Sequence, residues 1–329
     1  MLLLLARIFH PCLLRRPKLD FGARTDEISG LEKSILLELE ARMDKSERTV
    51  LVTGCSSGIG RATALLLASN GFQVFAGVRR EQHLKDLTEL NRSNLAPVIL
   101  DVTQDDDVAL AVATIEQECP QGLFGLVNNA GVGLPSAVEL SRLDEVRRLF
   151  EVNTLAPLRM IQHCLPLLRK THGRVINMSS MNGTMALPMV GAYSASKFAL
   201  EALSDTLRVE LRPWQISVSL IRPGQVRTSI FDKARDDLQQ RTVNIPAELK
   251  SGYDAMYARA GDFNERGAKA LTSPEQVARV VLRALNARRS RTHYTVGMDA
   301  RGMRYAKWLA PRLVDRALAR VMGLLKPLP

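Results

Sequence analysis

Short apolar runs alternate with amphipathic stretches from residue 48 to about residue 300. The runs are rich in Val, Ile and Leu and predict buried strands, while the stretches between them have the apolar spacing of helices. This alternation is typical of repeated βαβ units, and so predicts a doubly wound parallel sheet with helices on both faces, an α/β fold of the Rossmann type. About seven strands are predicted, at residues 49–53, 73–78, 96–100, 124–127, 173–178, 215–220 and 293–296.

Helical spacing is clearest over Ile59–Ser69, Gln104–Gln117 and Tyr193–Leu211. Residues 232–272 are long, polar and without clear periodicity, and we expect them to form a mobile lid. No internal repeat or low-complexity run interrupts the pattern. The sequence therefore predicts a single domain over residues 48–300.

Basic residues are concentrated at the two ends of the chain. Of the net charge of +11, residues 1–20 carry +3 and residues 301–329 carry +6, which leaves +2 between them. No helix-turn-helix, zinc-finger or RNP-like motif accompanies the charge, so we expect no nucleic-acid partner.

The end segments predict targeting or surface attachment instead. Residues 1–19 lack acidic residues, and Arg7 and Pro11 interrupt their apolar runs, which are too short to span a bilayer. An organelle transit peptide, an interfacial anchor and a disordered tail all fit. Residues 30–48 predict an amphipathic helix, completing an N-terminal segment at 1–47. Residues 301–329 predict a basic amphipathic extension. It would lie either on a membrane surface or packed against the domain.

An intracellular protein is therefore expected, either attached peripherally to a membrane, targeted to mitochondria, or cytoplasmic. The four cysteines agree with a reducing compartment because they are scattered and lack CxxC spacing: Cys12, Cys55, Cys119 and Cys164. The five histidines are equally dispersed, so we expect no metal site and no Ser-His-Asp triad.

The first strand leads directly into a glycine-bearing turn and then a helix, which is the setting of a phosphate site. Gly54 permits the tight turn, Gly58 lets the backbone approach a pyrophosphate, and Gly60 lets the helix pack close to the strand. The helix N-terminus offers free N–H groups and a partial positive charge. The residues predicted to bind the cofactor phosphates are Gly54, Ser56, Ser57, Gly58, Ile59 and Gly60.

Arg79 follows the second strand, where an acidic residue would bind the 2′-hydroxyl of NAD. A guanidinium there suits a 2′-phosphate, which favours NADP(H) over NAD(H), although Arg79 and Arg80 would also suit the start of a solvated helix. Asp101 and Asn128, the latter opening an Asn-Asn-Ala-Gly segment, follow the third and fourth strands. We expect them to cradle the adenine and its ribose.

Tyr193 and Lys197 are four residues apart on a predicted helix, and so share one face. A neighbouring ammonium would lower the pKa of the phenol toward the working pH of a general acid or base. Ser180 ends the strand before this helix and would hold a substrate oxygen, with Ser179 as the competing residue. Asn153 would bond a main-chain carbonyl and hold a water near Lys197, or satisfy a local kink.

The glycine turn, Asn-Asn-Ala-Gly, Asn153, Ser180, Tyr193 and Lys197 occur in an order that resembles the short-chain dehydrogenase/reductase family over about residues 48–300. The resemblance implies that Tyr193 transfers the proton and that Lys197 binds the nicotinamide ribose and tunes Tyr193. It implies that Ser180 orients the carbonyl and Asn153 holds a relay water. It also implies that Thr228, after Pro223-Gly224, contacts the nicotinamide carboxamide.

Within the family, the segments around Ser180 and Lys197 look most like the 17β-hydroxysteroid, retinol and 3-hydroxybutyrate dehydrogenases. We therefore expect a homo-oligomeric NAD(P)-dependent oxidoreductase acting on a lipophilic, steroid- or retinoid-like secondary alcohol or ketone. A short hydroxy acid substrate and a non-catalytic nucleotide-binding scaffold are the alternatives. Apolar side chains are expected to line the substrate cleft: Leu134, Met185, Leu187, Met189 and Ile230.

Overall fold

The computed structural model describes residues 48–267, 272–297 and 311–324. Within these ranges seven parallel strands form one sheet in the order β3-β2-β1-β4-β5-β6-β7. The strands are β1 Thr49–Val52, β2 Gln73–Val78, β3 Leu95–Ile99, β4 Gly125–Asn128, β5 Arg174–Met178, β6 Ser217–Pro223 and β7 His293–Val296. The predicted doubly wound sheet is confirmed, with strand ends that differ from the prediction by up to three residues.

Helices cover both faces of this sheet, which is why its central strands are apolar along their whole length. Those named below, in chain order, are α1 Gly58–Ser69, α2 Glu81–Thr88, α3 Asp105–Glu118, α4 Leu143–Phe150, α5 Ala156–Thr171, α6 Gly191–Glu210, α7 Ser229–Val243, α8 Lys250–Gly267, α9 Pro274–Asn286 and α10 Pro311–Met322. Alternate residues of β1 enter different layers: Val50 and Val52 pack with α1 and α9, and Leu51 packs with α3 and α5.

The segment predicted to be a lid without defined structure contains the helices α7 and α8. Its apolar residues are sparse, but Leu238, Ile245, Met256 and Tyr257 converge in a small cluster of buried side chains that Met322 of α10 completes. The helices were missed because only this narrow set of apolar positions marks them among polar residues. Whether the segment moves stays a prediction.

The terminal predictions fall mostly outside the described residues. These include residues 1–20, all of the predicted helix 30–48 except Arg48, and, of the C-terminal extension, everything but residues 311–324. Within the described ranges, no helix combines the length and apolar character needed to cross a bilayer. Cys55, Cys119 and Cys164 are buried free thiols, which agrees with packing roles.

Candidate active site

The direction in which successive strands are added to the sheet reverses between β1 and β4. From β1 the chain winds outward to β3, and it then returns to β4 on the other side of β1. In open α/β sheets a crevice forms at the carboxyl ends of the two strands flanking such a point, and ligands bind there. The glycine turn follows β1, and Ser180 lies just beyond β5, so both lie at this edge of the sheet.

The glycine turn has a shape that only glycines permit. Gly54 and Gly58 have φ angles of +73° and +57°, in the left-handed region. A Cβ at Gly60 would lie 2.2 Å from the Gly54 carbonyl oxygen, and one at Gly58 would lie 3.0 Å from Thr228 Cγ2. The three glycines leave the backbone at the N-terminus of α1 without side chains. Such a backbone can approach the diphosphate of a dinucleotide closely.

A cavity of about 350 Å³ adjoins this turn. Its lining includes Gly58 and Thr228, the arginines Arg61 and Arg227, and Glu275 in the first turn of α9. Two arginines against one carboxylate, together with a helix N-terminus, suit an anionic group. The sequence prediction missed both arginines, although each directly adjoins a predicted site, Arg61 after Gly60 and Arg227 before Thr228.

Thr228, 168 positions after Gly60 in the sequence, lies beside the glycine turn. Its predicted contact with the nicotinamide carboxamide stays a prediction. Ser56 and Ser57 are exposed at that turn, and Ile59 begins α1 beside Gly58. Arg79 is exposed directly after β2. Asp101 organises the turn after β3, since its Oδ1 accepts hydrogen bonds from the Thr103 amide and hydroxyl at 3.0 and 2.8 Å.

Asn128 lies inside the sheet. Its side chain is only 3% exposed, and its Nδ2 donates to Asn177 Oδ1 at 2.9 Å, linking β4 to β5. Its predicted contact with the adenine or ribose stays a prediction. The neighbouring Asn129 supports the glycine turn instead, because its Nδ2 donates to Thr53 O at 2.9 Å.

Lys197 and Tyr193 share one face of α6. The Lys197 ammonium is 6.0 Å from the centre of the Tyr193 ring and donates to the Met178 carbonyl at 2.9 Å. Burial lowers the pKa of Lys197 to about 8, and the Glu201 carboxylate acts in the opposite direction. Lys197 is therefore mainly charged at neutral pH and loses its charge above about pH 8.

The expected acidification of Tyr193 is not found in the protein chain itself. Burial raises the pKa of Tyr193 above its usual value, and a hydrogen-bonding interaction with Ser180 opposes this effect only in part. Tyr193 is thus a neutral phenol at neutral pH, able to donate a proton. The prediction considered the nearby ammonium and overlooked the desolvation that accompanies a half-buried ring.

Ser179 and Ser180, the two competing residues, have different hydrogen-bond partners. Ser179 Oγ donates to Glu201 Oε1 at 2.5 Å within a buried group of polar side chains. Ser180 Oγ instead accepts from the Asn182 amide at 3.2 Å and interacts with Tyr193. These partners favour Ser180 as the residue that acts beside the phenol.

Asn153 lies in a π-helical turn, Glu151–Leu155, between α4 and α5. Such turns are rare and often occur at functional sites. The amide bonds both backbone groups of Val132, with Nδ2 donating to the carbonyl and Oδ1 accepting from the N–H at 2.9 Å each. A Cβ on Gly131 would lie 3.3 Å from Asn153 Oδ1 and 3.8 Å from Lys197 Nζ, so the two side chains flank the same glycine. The structure combines the predicted carbonyl bond with a local helix irregularity.

The predicted cleft walls meet near these residues. The Ser136 amide donates to the Met189 carbonyl at 2.7 Å, which joins the segment after Gly131 to the segment after Ser180. Leu134, Met185 and Met189 are buried apolar residues. Leu187 is half-buried, and the Ile230 side chain lies outside the described residues.

Comparison with known proteins agrees with this arrangement. A family model described as short chain dehydrogenase matches residues 48–239. The chain belongs to the short-chain dehydrogenase/reductase family of oxidoreductases.

Its relatives act on different substrates. Retinol dehydrogenase 5 of Mus musculus is 34% identical over 87% of this chain and 92% of its own length. Mitochondrial D-beta-hydroxybutyrate dehydrogenase of Mus musculus is also 34% identical, over 76% of each chain. A short-chain dehydrogenase structure from Streptomyces avermitilis superposes with a TM-score of 0.68 at 27% identity, covering 86% of this chain and all of that one.

Proposed function

We propose that the protein transfers a hydride between a nicotinamide cofactor and a lipophilic secondary alcohol or ketone. One observation carries the proposal: the buried Lys197 ammonium lies 6.0 Å from the Tyr193 ring, beside a hydroxyl-bearing strand end. These groups lie at the edge of the sheet where the glycine turn offers a dinucleotide site. All four residues of the family's catalytic set are present, as Asn153, Ser180, Tyr193 and Lys197. Their presence argues against the alternative of a nucleotide-binding scaffold without catalytic activity.

The bound nicotinamide would supply the hydride or accept it. In the direction of ketone reduction, Ser180 Oγ and the Tyr193 hydroxyl would both donate hydrogen bonds to the substrate oxygen and stabilise its developing charge. Tyr193 Oη then gives its proton to that oxygen, and the nearby Lys197 ammonium stabilises the phenolate left behind. Asn153 keeps the Val132 backbone in place and is proposed to hold a relay water next to Lys197.

A lipophilic substrate is favoured over a short hydroxy acid. The segments proposed to form the walls of the cleft carry the buried apolar residues Leu134, Met185 and Met189. An apolar cleft would gain affinity by burying apolar substrate surface. A hydroxy acid would need a cation to pair with its carboxylate. Because the chain is similar both to a retinol dehydrogenase and to a hydroxybutyrate dehydrogenase, lipophilic substrates and short hydroxy acids should both be assayed.

The test is a panel of steroid, retinoid and short 3-oxo substrates, each offered with NADPH and with NADH. We expect coenzyme consumption with the lipophilic ketones. Turnover confined to the short 3-oxo acids would replace this substrate class, and no turnover with any pair would contradict the proposed activity.

For the coenzyme we propose NADP(H) as the preferred form, with NAD(H) as the alternative. Arg79 is exposed at the end of β2, where the adenosine ribose of a dinucleotide binds in this fold. A guanidinium there forms two parallel charge-assisted bonds with a 2′-phosphate and makes no comparable bond with a hydroxyl.

Arg79→Ala is expected to weaken NADPH binding about thirtyfold, since charge-assisted bonds contribute about 2 kcal/mol, while NADH binding changes little. Fluorescence titration of each coenzyme measures the two dissociation constants. Arg147→Ala, which removes another exposed arginine, is the control. Equal losses for both coenzymes would show that Arg79 does not read the 2′-phosphate.

We also propose peripheral contact with an anionic membrane through α10. One face of this helix packs against α8, where Met322 is buried. Leu313 and Val321 lie on another face, 66% and 51% exposed, and Leu324 just after the helix is 46% exposed. The exposed Arg312, Arg316 and Arg320 flank this apolar stripe. Apolar residues that enter the interface beside arginines that meet anionic headgroups are typical of surface-bound helices.

Replacing Arg312 and Arg316 by Gln is expected to weaken binding to phosphatidylserine-containing vesicles about thirtyfold, at about 1 kcal/mol per basic residue. Vesicle co-sedimentation measures the binding, with Arg147→Gln/Arg288→Gln as a control of equal charge. If both double variants bind like the unchanged protein, α10 is not the contact. Homo-oligomerisation and cellular location stay predictions, to be tested by light scattering and by fractionation.

A further inference from the structure

A buried ion pair lies one helical turn beyond Lys197 and takes no part in the chemistry proposed above. Glu201 on α6 and Arg222 on β6 are 7% and 5% exposed. Arg222 Nε donates to Glu201 Oε1 at 2.8 Å, and Arg222 Nη2 donates to Glu201 Oε2 at 2.5 Å. The Ser179 hydroxyl at the end of β5 donates to the same Oε1 at 2.5 Å. The carboxylate is thus held from two strands.

Stability does not account for this pair. Removing two charges from water is costly, and exchanging a buried ion pair for apolar residues of similar volume is often neutral or stabilising. The elements that Glu201 and Arg222 join, α6 and β6, are also already connected, because Arg208 Nε of α6 donates to the Val218 carbonyl of β6 at 3.2 Å. The Glu201 carboxylate lies one helical turn from Lys197 on α6, which indicates a role connected with Lys197.

Glu201 and Lys197 hold the same strand end. Lys197 Nζ donates to the carbonyl of Met178, and Glu201 accepts from the hydroxyl of Ser179, the next residue. Ser180 follows directly. Neighbouring space is filled, since a Cβ at Gly183 would lie 2.6 Å from Ser179 Oγ and 3.1 Å from Glu201 Cγ. Two side chains one turn apart on α6 therefore fix the residues that lead into Ser180.

Charge also connects the two residues. Burial lowers the pKa of Lys197 to about 8, and the Glu201 carboxylate raises it. Arg222 and His293 are the charged or titratable groups that approach Glu201, with His293 Nε2 3.8 Å from Glu201 Oε2. His293 Nε2 is also 3.8 Å from Asp205 Oδ1, and Asp205 pairs with Arg208 at 2.7 Å, so these two opposite charges largely offset each other. Burial is the main cause that lowers the pKa of His293, so His293 adds little positive charge at neutral pH. Without the carboxylate, Lys197 would lose its proton at a lower pH.

We propose that Glu201 is a positioning residue, fixed by Arg222 and Ser179, that keeps the Lys197 ammonium charged and seated against the Met178 carbonyl. This inference rests on the proposed function only in that Lys197 serves the reaction. Glu201 itself touches neither the cofactor site nor Tyr193 in the contacts described above.

Glu201→Gln keeps the shape of the side chain and removes its charge. We expect the alkaline limb of the pH profile of kcat/KM for ketone reduction to move about one unit lower, a tenfold loss of activity on that limb. Glu210→Gln, an exposed substitution at the end of the same helix, should leave the profile unchanged. A role in stability alone would lower activity equally at every pH, and an unmoved alkaline limb would overturn the proposal.

Glu201→Gln leaves the Arg222 guanidinium without its partner and so risks misfolding. The double variant Glu201→Leu/Arg222→Met removes both charges and retains apolar volume, so it is expected to fold. It should shift the alkaline limb in the same direction. A folded double variant with an unchanged limb would contradict the charge effect.

A titration that needs no turnover separates this inference from the proposed function. The side-chain resonance of Lys197, identified by its absence in Lys197→Met, is followed by carbon NMR of lysine-labelled protein. We expect its midpoint to fall by about one pH unit in Glu201→Gln. If the unchanged protein reduces no ketone but the midpoint falls, the proposed function fails and the positioning role stands. An unchanged midpoint overturns the positioning role whatever the activity.

Discussion

Tyr193→Phe is expected to lower kcat for ketone reduction about a thousandfold, within the range that a general acid or base contributes. The substitution removes the only proton donor on the phenol and keeps the ring that packs near Lys197. Burial raises the pKa of Tyr193, so the phenol holds its proton at neutral pH and offers it to a substrate oxygen. Steady-state kinetics over a range of ketone concentrations measures the change.

Coenzyme binding should change little in Tyr193→Phe, because the ring and its packing survive. Tyr253→Phe is a matched control on α8, where the Tyr253 hydroxyl bonds Glu139 outside the proposed chemistry. A Tyr193→Phe variant that turns over normally would show that the proton comes from elsewhere.

Gly60→Ala is expected to lower the free energy of unfolding by about 3 kcal/mol or to displace the glycine turn at a similar cost. A Cβ at Gly60 would lie 2.2 Å from the Gly54 carbonyl oxygen and 2.4 Å from Asn129 Nδ2, and backbone cannot swing aside as a flexible side chain does. If the turn moves, coenzyme affinity should fall roughly a hundredfold. Denaturant unfolding and coenzyme titration on the same samples distinguish the two effects.

Gly261→Ala is the matched control for this prediction. Gly261 also lies within a helix, α8, and among the described residues nothing outside the adjoining backbone of that helix lies within 4 Å of the Cβ position there. The added methyl group should stabilise the protein by about 0.5–1 kcal/mol through helix propensity. If Gly60→Ala changed the free energy of unfolding and the coenzyme affinity no more than Gly261→Ala does, the close backbone approach at Gly60 would matter neither for stability nor for coenzyme binding.

The sheet was predictable because its strands are local apolar runs. Val50, Leu51 and Val52 are buried on both faces of the sheet, so their side chains had to be apolar without interruption. The candidate site residues could also be recognised in the sequence. The glycine turn, Ser180, Tyr193 and Lys197 follow one another in the order typical of the family, and each is a residue type suited to its proposed role. Helical spacing alone placed Tyr193 and Lys197 on one face of α6.

Other features depended on contacts between residues distant in sequence. The choice between Ser179 and Ser180 is decided by Glu201, 22 residues further along. Asn128 turned out to be bonded inside the sheet because Asn177 lies opposite it on β5, and that register was not predicted. The pKa of Tyr193 reflects burial, which sequence spacing does not measure.

The cavity beside the glycine turn shows the same limit. Arg61 and Arg227 come from segments far apart in sequence, and the close approach of Gly58 to Thr228 brings these segments to one cavity. The helices α7 and α8 were missed for a related reason, since their few apolar residues are recognisable as a core only once Ala137 and Met189 are seen to pack against them.

Isotope transfer tests most directly whether this site moves a hydride while Tyr193 supplies the proton. The protein is incubated with NADPH deuterated at the reactive nicotinamide carbon and a lipophilic ketone, and the product is examined by mass spectrometry. Deuterium on the carbinol carbon is expected with the unchanged protein, with about a thousandfold slower incorporation in Tyr193→Phe. Product without deuterium, or equal incorporation by the two proteins, would contradict this mechanism.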